Sequence, residues 1–133
     1  MSNKDIVRRF NKEVIEQSNH ATFTELMHPD FVNHTAPAEA NGADGMWHTF
    51  TKILKPSFPD LEVIIHDQIS EDDKVVTRKS ICGTHRGKLF DIEPTGKVIK
   101  IDIIDIVRLK DGQYFEHWGI NTLQSVIKEL ATP

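Results

Sequence analysis

Asp105 and His117 are the two residues whose types and positions best suit acid/base chemistry. Asp105 lies in a β-branched run that starts at Val98, and His117 follows in a segment that alternates polar and aromatic residues. A carboxylate among isoleucines loses hydration, which raises its pKa and makes it a better general base. We predict Asp105 as the base and His117 as its partner or as a proton donor to an oxyanion. Alternatively, Asp105 is a structural partner of Arg78, and His117 is bonded to a backbone carbonyl.

A β-hairpin over Val98–Asn121 is predicted to hold these two residues close together. The pair Asp111-Gly112 separates two strand-like runs and is a strong signal for a tight turn. Side chains alternate between the two faces of a strand, so His117 and Asn121 are expected on one face. Trp118 then points the other way and is assigned to packing.

Six residues are predicted to bind substrate, and Asn121 of the hairpin is one of them. Asn33 and His34 precede a loop of small residues, where they form either a polar gate to a cavity or an ordinary loop end. Trp47 and Phe58 line a pocket or belong to the core. Arg78 is the cation expected near Asp105.

The histidine and cysteine content predicts neither a metal site nor a cofactor. The seven histidines show no HxH or HExxH spacing. The single cysteine, Cys82, cannot form an internal disulfide and is interpreted as a filler on the sheet.

Length and charge are typical of one small domain without a nucleic-acid surface. The chain has 133 residues and a net charge of -4, whereas nucleic-acid binding usually needs a basic stripe. No apolar run approaches membrane-spanning length, and the N-terminus lacks a signal-peptide hydrophobic region. We therefore expect a cytoplasmic protein that binds neither nucleic acid nor membrane.

The hydrophobic period changes once along the chain, from helical to strand-like. A capping box at Ser2 and Asp5 begins the first helix, which ends near Asn19, and Thr22 with Glu25 predicts a second cap. The remaining predicted elements are an extended piece at 31–34, a helix through Met46–Leu54 closed by Pro56, strands at Leu61–Ile69, Lys74–Thr84 with a bulge at Gly83 and Lys88–Ile92, the hairpin, and a last helix ending near Leu130. This order predicts an α+β domain with helices on one face of an antiparallel sheet.

Six segments occur in an order that resembles the SnoaL-like polyketide cyclase (ester cyclase) family of the nuclear transport factor 2-like superfamily. They are His28-Pro29-Asp30-Phe31-Val32-Asn33-His34, Phe58-Pro59-Asp60, Gly83-Thr84-His85-Arg86-Gly87, Pro94-Thr95-Gly96-Lys97, Asp105-Ile106-Val107-Arg108 and Glu116-His117-Trp118. The match covers almost the whole chain, so residues 1–133 are expected to form a single SnoaL-like domain.

The resemblance implies a cone-shaped, curved antiparallel β-sheet closed by N-terminal helices around an apolar cavity. It also implies a homodimer packed through the outer face of the sheet, where we expect Ile64, Ile81 and Ile104. In the family the reaction is an intramolecular aldol condensation of a polyketide, which uses an acid/base residue and no cofactor. The implied partner is a small apolar or aromatic ligand.

One departure from the family pattern leaves two functions open. The cyclases carry a catalytic aspartate just after the tryptophan, whereas here Trp118 is followed by Gly119-Ile120-Asn121-Thr122. The first hypothesis is a cofactor-independent lyase or isomerase that uses Asp105 on a small apolar carbonyl compound. The second is a non-catalytic small-molecule-binding protein of the same fold.

Overall fold

The computed structural model describes residues 1–133 and places the helices mainly before the sheet. The helical elements are α1 (Asn3–Arg9), which continues as a π-helical segment (Phe10–Glu16), α2 (His20–Leu26), a 3₁₀ turn (Ala38–Ala40), α3 (Ala43–His48) with a second π-helical segment (Thr49–Leu54), α4 (Lys55–Ser57) and α5 (Leu123–Ala131). None of these helices has the length and the apolar character that a membrane-spanning helix needs.

The caps of the first two helices show which local signals decide helix starts. The predicted capping box between Ser2 and Asp5 is present at α1. The predicted cap at Thr22 is wrong, because α2 begins one turn earlier and the Asn19 side chain accepts from the Thr22 backbone N–H. The Thr22 hydroxyl donates instead to Glu13, at 2.7 Å.

Five strands form one open sheet in the order β1-β5-β4-β3-β2. They are β1 (Met27–Asn33), β2 (Glu62–Glu71), β3 (Lys74–Thr84), β4 (Val98–Lys110) and β5 (Gln113–Asn121). Four of them are antiparallel neighbours, but the edge strand β1 runs parallel to β5, so the expectation of a purely antiparallel sheet is wrong at this edge. The predicted strand at Lys88–Ile92 is reduced to one bridge between Leu89 and Ile92.

The predicted hairpin is confirmed as β4–β5. Its two-residue turn has positive φ at both Asp111 (53°) and Gly112 (76°), the twist that joins antiparallel strands tightly. The predicted bulge at Gly83 is wrong, because the β3–β4 register runs unbroken through it. A Cβ at residue 83 would lie 2.9 Å from the Phe58 Cβ, so this glycine permits close packing.

The helices cover one face of the sheet, here called the inner face, and the domain is the expected mixed α+β type. The sheet does not close on itself, since β1 and β2 are its free edges. A core of 23 buried apolar residues lies mainly between the inner face and the helices. Ile81 is 1% exposed and belongs to this core, so its predicted place on the outer face is wrong, whereas Ile64 and Ile104 are exposed.

Candidate functional site

Asp105 lies on the inner face of β4, in the middle of a buried polar network. Its Oδ2 atom is 3.2 Å from Lys79 Nζ and 3.3 Å from His117 Nε2. Its Oδ1 atom is buried and has no hydrogen-bond partner. The Asp105 side chain is 7% exposed and the Lys79 side chain 5%, so both charges are almost completely removed from water.

Lys79, and not Arg78, is the cation beside Asp105. Neighbouring side chains on a strand point to opposite faces, so only one of the two can face the carboxylate. Arg78 lies on the outer face, where its Nε donates to Asp67 Oδ2 at 2.6 Å. The predicted Asp105–Arg78 pair is therefore wrong. The same assignment of β3 side chains to the wrong faces placed Ile81 on the outer face. Val75, Lys79 and Ile81 are separated by even numbers of residues and so share one face of the strand. This spacing is the signal that could have corrected the positions of Lys79 and Ile81.

Asn11 completes the network on the helical side. Lys79 Nζ donates to Asn11 Oδ1 at 2.7 Å, and Asn11 Nδ2 donates to the Val7 carbonyl at 2.8 Å. Asn11 belongs to the π-helical segment and is 2% exposed. Sequence reasoning missed it, because one asparagine in an amphipathic helix looks like any surface residue.

His117 is held between Asp105 and Asn33. Its Nδ1 lies 2.9 Å from Asn33 Oδ1, an oxygen that also accepts the Thr35 backbone N–H at 3.2 Å. The His117 side chain is 15% exposed, which makes it the most accessible ionisable group of the network. The structure thus brings together three predicted residues, Asn33, Asp105 and His117.

Gly119 allows the His117 ring to lie along β5. Gly119 is the cross-strand partner of Asp105. A Cβ at residue 119 would lie 3.0 Å from His117 Cε1 and 3.4 Å from Asp105 Cβ. A side chain at residue 119 would therefore crowd the His117 ring at its contact with the Asp105 carboxylate.

The other predicted residues lie away from Asp105 or at the margin of the site. His34 is on the outer face, where its Nε2 is 2.7 Å from Glu116 Oε2 and its ring stacks on Trp118. Trp47 packs against Phe23, with ring centroids 4.9 Å apart. These contacts separate His34 from the network and assign Trp47 to packing.

Phe58 and Asn121 differ in what they can offer a ligand. Phe58 is fully buried and contributes to the core, which is the alternative stated for it, and its contact with substrate stays a prediction. Asn121 pairs with Ile103 on the inner face, and its Oδ1 accepts from the Leu123 N–H at the start of α5. Asn121 therefore stands at the exposed margin of the site.

The charges around Asp105 reverse the pKa shift expected from sequence. Burial alone raises the pKa of Asp105, but the Lys79 ammonium and the hydrogen bond from His117 outweigh burial and hold the pKa below its ordinary value of 3.8. Asp105 is therefore ionised at neutral pH, and the prediction of a raised pKa is wrong. The buried Tyr114 is affected in the opposite direction, since burial and the Asp105 charge raise its pKa well above 10.0.

Two other features do not form part of this site. No group of three or more histidine, cysteine or acidic side chains is arranged to hold a metal ion. A groove of about 240 Å³ is lined by residues of the outer face, among them Arg78, Ile104 and Ile120. It also touches Lys79, Ile103 and Asn121, but neither Asp105 nor His117 lines it. Because Asp105 and His117 face the other side of the sheet, we place the candidate site at the network and not in this groove.

Comparisons with known proteins agree with this architecture. A candidate SnoaL-like polyketide cyclase from Jannaschia sp. CCS1 is 25% identical with a TM-score of 0.84, covering 98% of this chain and 92% of its own. IdmH, a candidate polyketide cyclase from Streptomyces antibioticus, is 24% identical with a TM-score of 0.84, covering 99% and 100%. AclR, a candidate hydroxylase from Streptomyces galilaeus, is 20% identical with a TM-score of 0.83, covering 98% and 97%.

The sequence also matches one family model over nearly its full length. No functionally curated protein matches it significantly. The model of the SnoaL-like polyketide cyclases matches residues 5–130. The chain therefore belongs to the SnoaL-like polyketide cyclase family.

Proposed function

We propose that this protein catalyses a cofactor-independent acid/base reaction of the cyclase type, as a lyase or isomerase of a small apolar carbonyl compound. Asp105 is the base and His117 its partner. The proposal depends on one observation above all: Asp105 Oδ2 is held by Lys79 and His117, while Oδ1 of the same ionised carboxylate has no partner. A fixed anion with one unoccupied oxygen can accept a proton.

The reaction then requires only groups of this chain. Asp105 Oδ1 removes a hydrogen from the carbon next to a carbonyl group, and the C–H electron pair forms an enolate. In ring closure, the enolate carbon attacks a second carbonyl of the same molecule, and the oxygen of that carbonyl becomes an alkoxide. The proton returns to this alkoxide from Asp105, directly or by way of His117 Nε2. No proton or electron is gained or lost overall.

The substrate is proposed to enter beside His117. Asp105 and Lys79 are less exposed than His117, so the His117 side is the more accessible to water. Ile103, two residues before Asp105 on the inner face of β4, is half-buried and supplies apolar surface. Asn121, the cross-strand partner of Ile103, offers a polar contact at the margin of the site. Small apolar or aromatic carbonyl compounds fit these surroundings.

A second candidate is the non-catalytic binding protein of the same fold. The buried ion pair favours it, since Lys79 already neutralises Asp105 and both side chains are less than a tenth exposed. In this function the network would fix the inner face and recognise a ligand without turning it over.

Hydrogen–deuterium exchange separates the two functions without the natural substrate. Aryl methyl ketones and β-keto esters are incubated with the protein in D₂O, and loss of the α-hydrogen signal is followed by NMR. We expect exchange that falls by roughly 10² to 10⁴ in Asp105→Asn. The matched control is Asp67→Asn, which removes an exposed carboxylate from the outer face. Binding of these compounds without exchange would contradict the catalytic proposal and favour the binding protein.

A further inference from the structure

Lys79 lies beside a carboxylate, that of Asp105, one of whose oxygens has no hydrogen-bond partner. An ammonium group has three N–H donors. Lys79 Nζ donates to Asn11 Oδ1 at 2.7 Å and lies 3.2 Å from Asp105 Oδ2, so two acceptors stand near its three N–H groups. Asp105 Oδ1 lacks a donor. Buried polar groups are rarely left unpaired, so Asp105 Oδ1 is the atom of this network at which a ligand would find an unused acceptor.

A ligand that binds both the Lys79 ammonium and Asp105 Oδ1 needs an acceptor oxygen close to an acidic hydrogen. A carbonyl group with a hydrogen on the adjacent carbon has both features. Removal of that hydrogen places negative charge on the carbonyl oxygen, and a fixed cation in a water-poor site stabilises such a charge strongly. Arg78 cannot do this, because it lies on the outer face in an exposed pair with Asp67.

We propose that Lys79 is a further catalytic residue, which binds the carbonyl oxygen of the substrate through its third N–H while Asp105 Oδ1 removes the adjacent hydrogen. This inference rests on the proposed function and names the group that carries the enolate charge. The C–H electron pair becomes the new C=C bond, the carbonyl π pair moves to oxygen, and the proton stays on Asp105 until the next step.

The same geometry specifies the class of substrate. Lys79 holds Asp105 as a stable anion, and a stable anion is a weak base. A weak base needs an acidic hydrogen, such as the one on the carbon between the two carbonyl groups of a β-dicarbonyl compound. We therefore expect β-keto esters to exchange faster than simple aryl ketones.

Binding of 4-nitrophenol tests the role of Lys79 independently of turnover, because its phenolate absorbs visible light and its phenol does not. A cation that stabilises an enolate oxygen should also stabilise the bound phenolate. We expect the ratio of bound phenolate to bound phenol to fall by roughly 10- to 100-fold in Lys79→Met, the size of one hydrogen bond to a charged group. Lys100→Met is the matched control, since Lys100 is an exposed lysine of β4.

A second comparison avoids leaving Asp105 as a buried unpaired anion. The single variant Asp105→Asn keeps Lys79, and we expect it to bind phenolate. The double variant Asp105→Asn/Lys79→Met should bind it 10- to 100-fold less, by the same reasoning. Circular dichroism establishes that each variant is folded before binding is measured.

The outcomes distinguish this inference from the proposed function. Absence of phenolate binding by the wild type, or phenolate binding that survives the loss of Lys79, would overturn the role of Lys79 even if α-hydrogen exchange is observed. Phenolate binding that depends on Lys79, without any exchange, would support Lys79 as an oxyanion site and remove the catalytic proposal.

Discussion

Lys79 Nζ lies 3.2 Å from Asp105 Oδ2, and the two side chains are 5% and 7% exposed. They come from adjacent strands, two positions apart in the register, with Thr77 directly opposite Asp105. Taking both charges out of water is costly, and that cost is offset by their attraction, by the hydrogen bond that Lys79 donates to Asn11 and by the contact of Asp105 with His117. Each member therefore depends on the other, so changes at this pair should affect both stability and chemistry.

Asp105→Asn should destabilise the protein strongly. The change leaves the Lys79 ammonium buried without an anion, and breaking a buried ion pair in this way costs roughly 3 to 5 kcal/mol. Urea unfolding followed by circular dichroism measures the loss. Asp67→Asn, in an exposed pair with Arg78, should cost less than about 1 kcal/mol. Equal stabilities for the two variants would show that the buried pair does not form.

The stability that Asp105 contributes should disappear in acid. The folded pKa of Asp105 lies below its ordinary value of 3.8, so the unfolded chain takes up the proton first as the pH falls. The contribution is fully present above the unfolded pKa of about 3.9 and is lost as the pH falls through the lower folded pKa. The difference in unfolding free energy between wild type and Asp105→Asn, measured from pH 7 to pH 3, should therefore shrink toward the acid end. A difference that grows as the pH falls would contradict this sign.

Gly119→Ala should reduce turnover more than it reduces stability. The added Cβ would lie 3.0 Å from His117 Cε1, so the ring must move by a few tenths of an ångström away from Asp105. Small misplacements of a catalytic group cost up to about 10²-fold in rate, and we expect a loss of roughly 10- to 100-fold in the exchange assay. Gly42→Ala is the matched control, because nothing lies within 4 Å of its Cβ position. Unchanged exchange in Gly119→Ala would argue that the position of the His117 ring does not matter.

A homodimer through the outer face is the fourth prediction. Ile104 and Ile120 are cross-strand partners on this face and are 44% and 71% exposed. Two such faces would bury on the order of 1,500 Å² if they pair. Light scattering at micromolar concentration should give the dimer mass for the wild type and the monomer mass for Ile104→Glu. Phe90→Glu, a change at an exposed apolar residue in a loop, should remain dimeric. A monomeric wild type would contradict the prediction.

The elements fixed by local sequence were predictable, and the pairing between distant elements was not. The turn at Asp111-Gly112 sets the β4–β5 hairpin from two adjacent residues. The shared face of Asp105 and His117 needs in addition the register shift between Arg108 and Leu109, which brings His117 opposite Val107 instead of Ile106. The β3–β4 connection has no such tight turn, so nothing local decided whether Arg78 or Lys79 faces inward. Asn11 reaches Lys79 across 68 positions, a contact that only the finished fold creates.

The Lys79–Asp105 pair also has a consequence for how the chain finds its register. β4 carries isoleucines on both faces, with Ile101 and Ile103 inside and Ile104 and Ile106 outside. A slip of β4 by one residue would therefore exchange one apolar set for another at small hydrophobic cost. The slip would also turn Asp105 to the outer face and leave Lys79 buried without its anion. The ion pair thus favours one register of β3 and β4, because the apolar residues of β4 alone would also tolerate a register shifted by one residue.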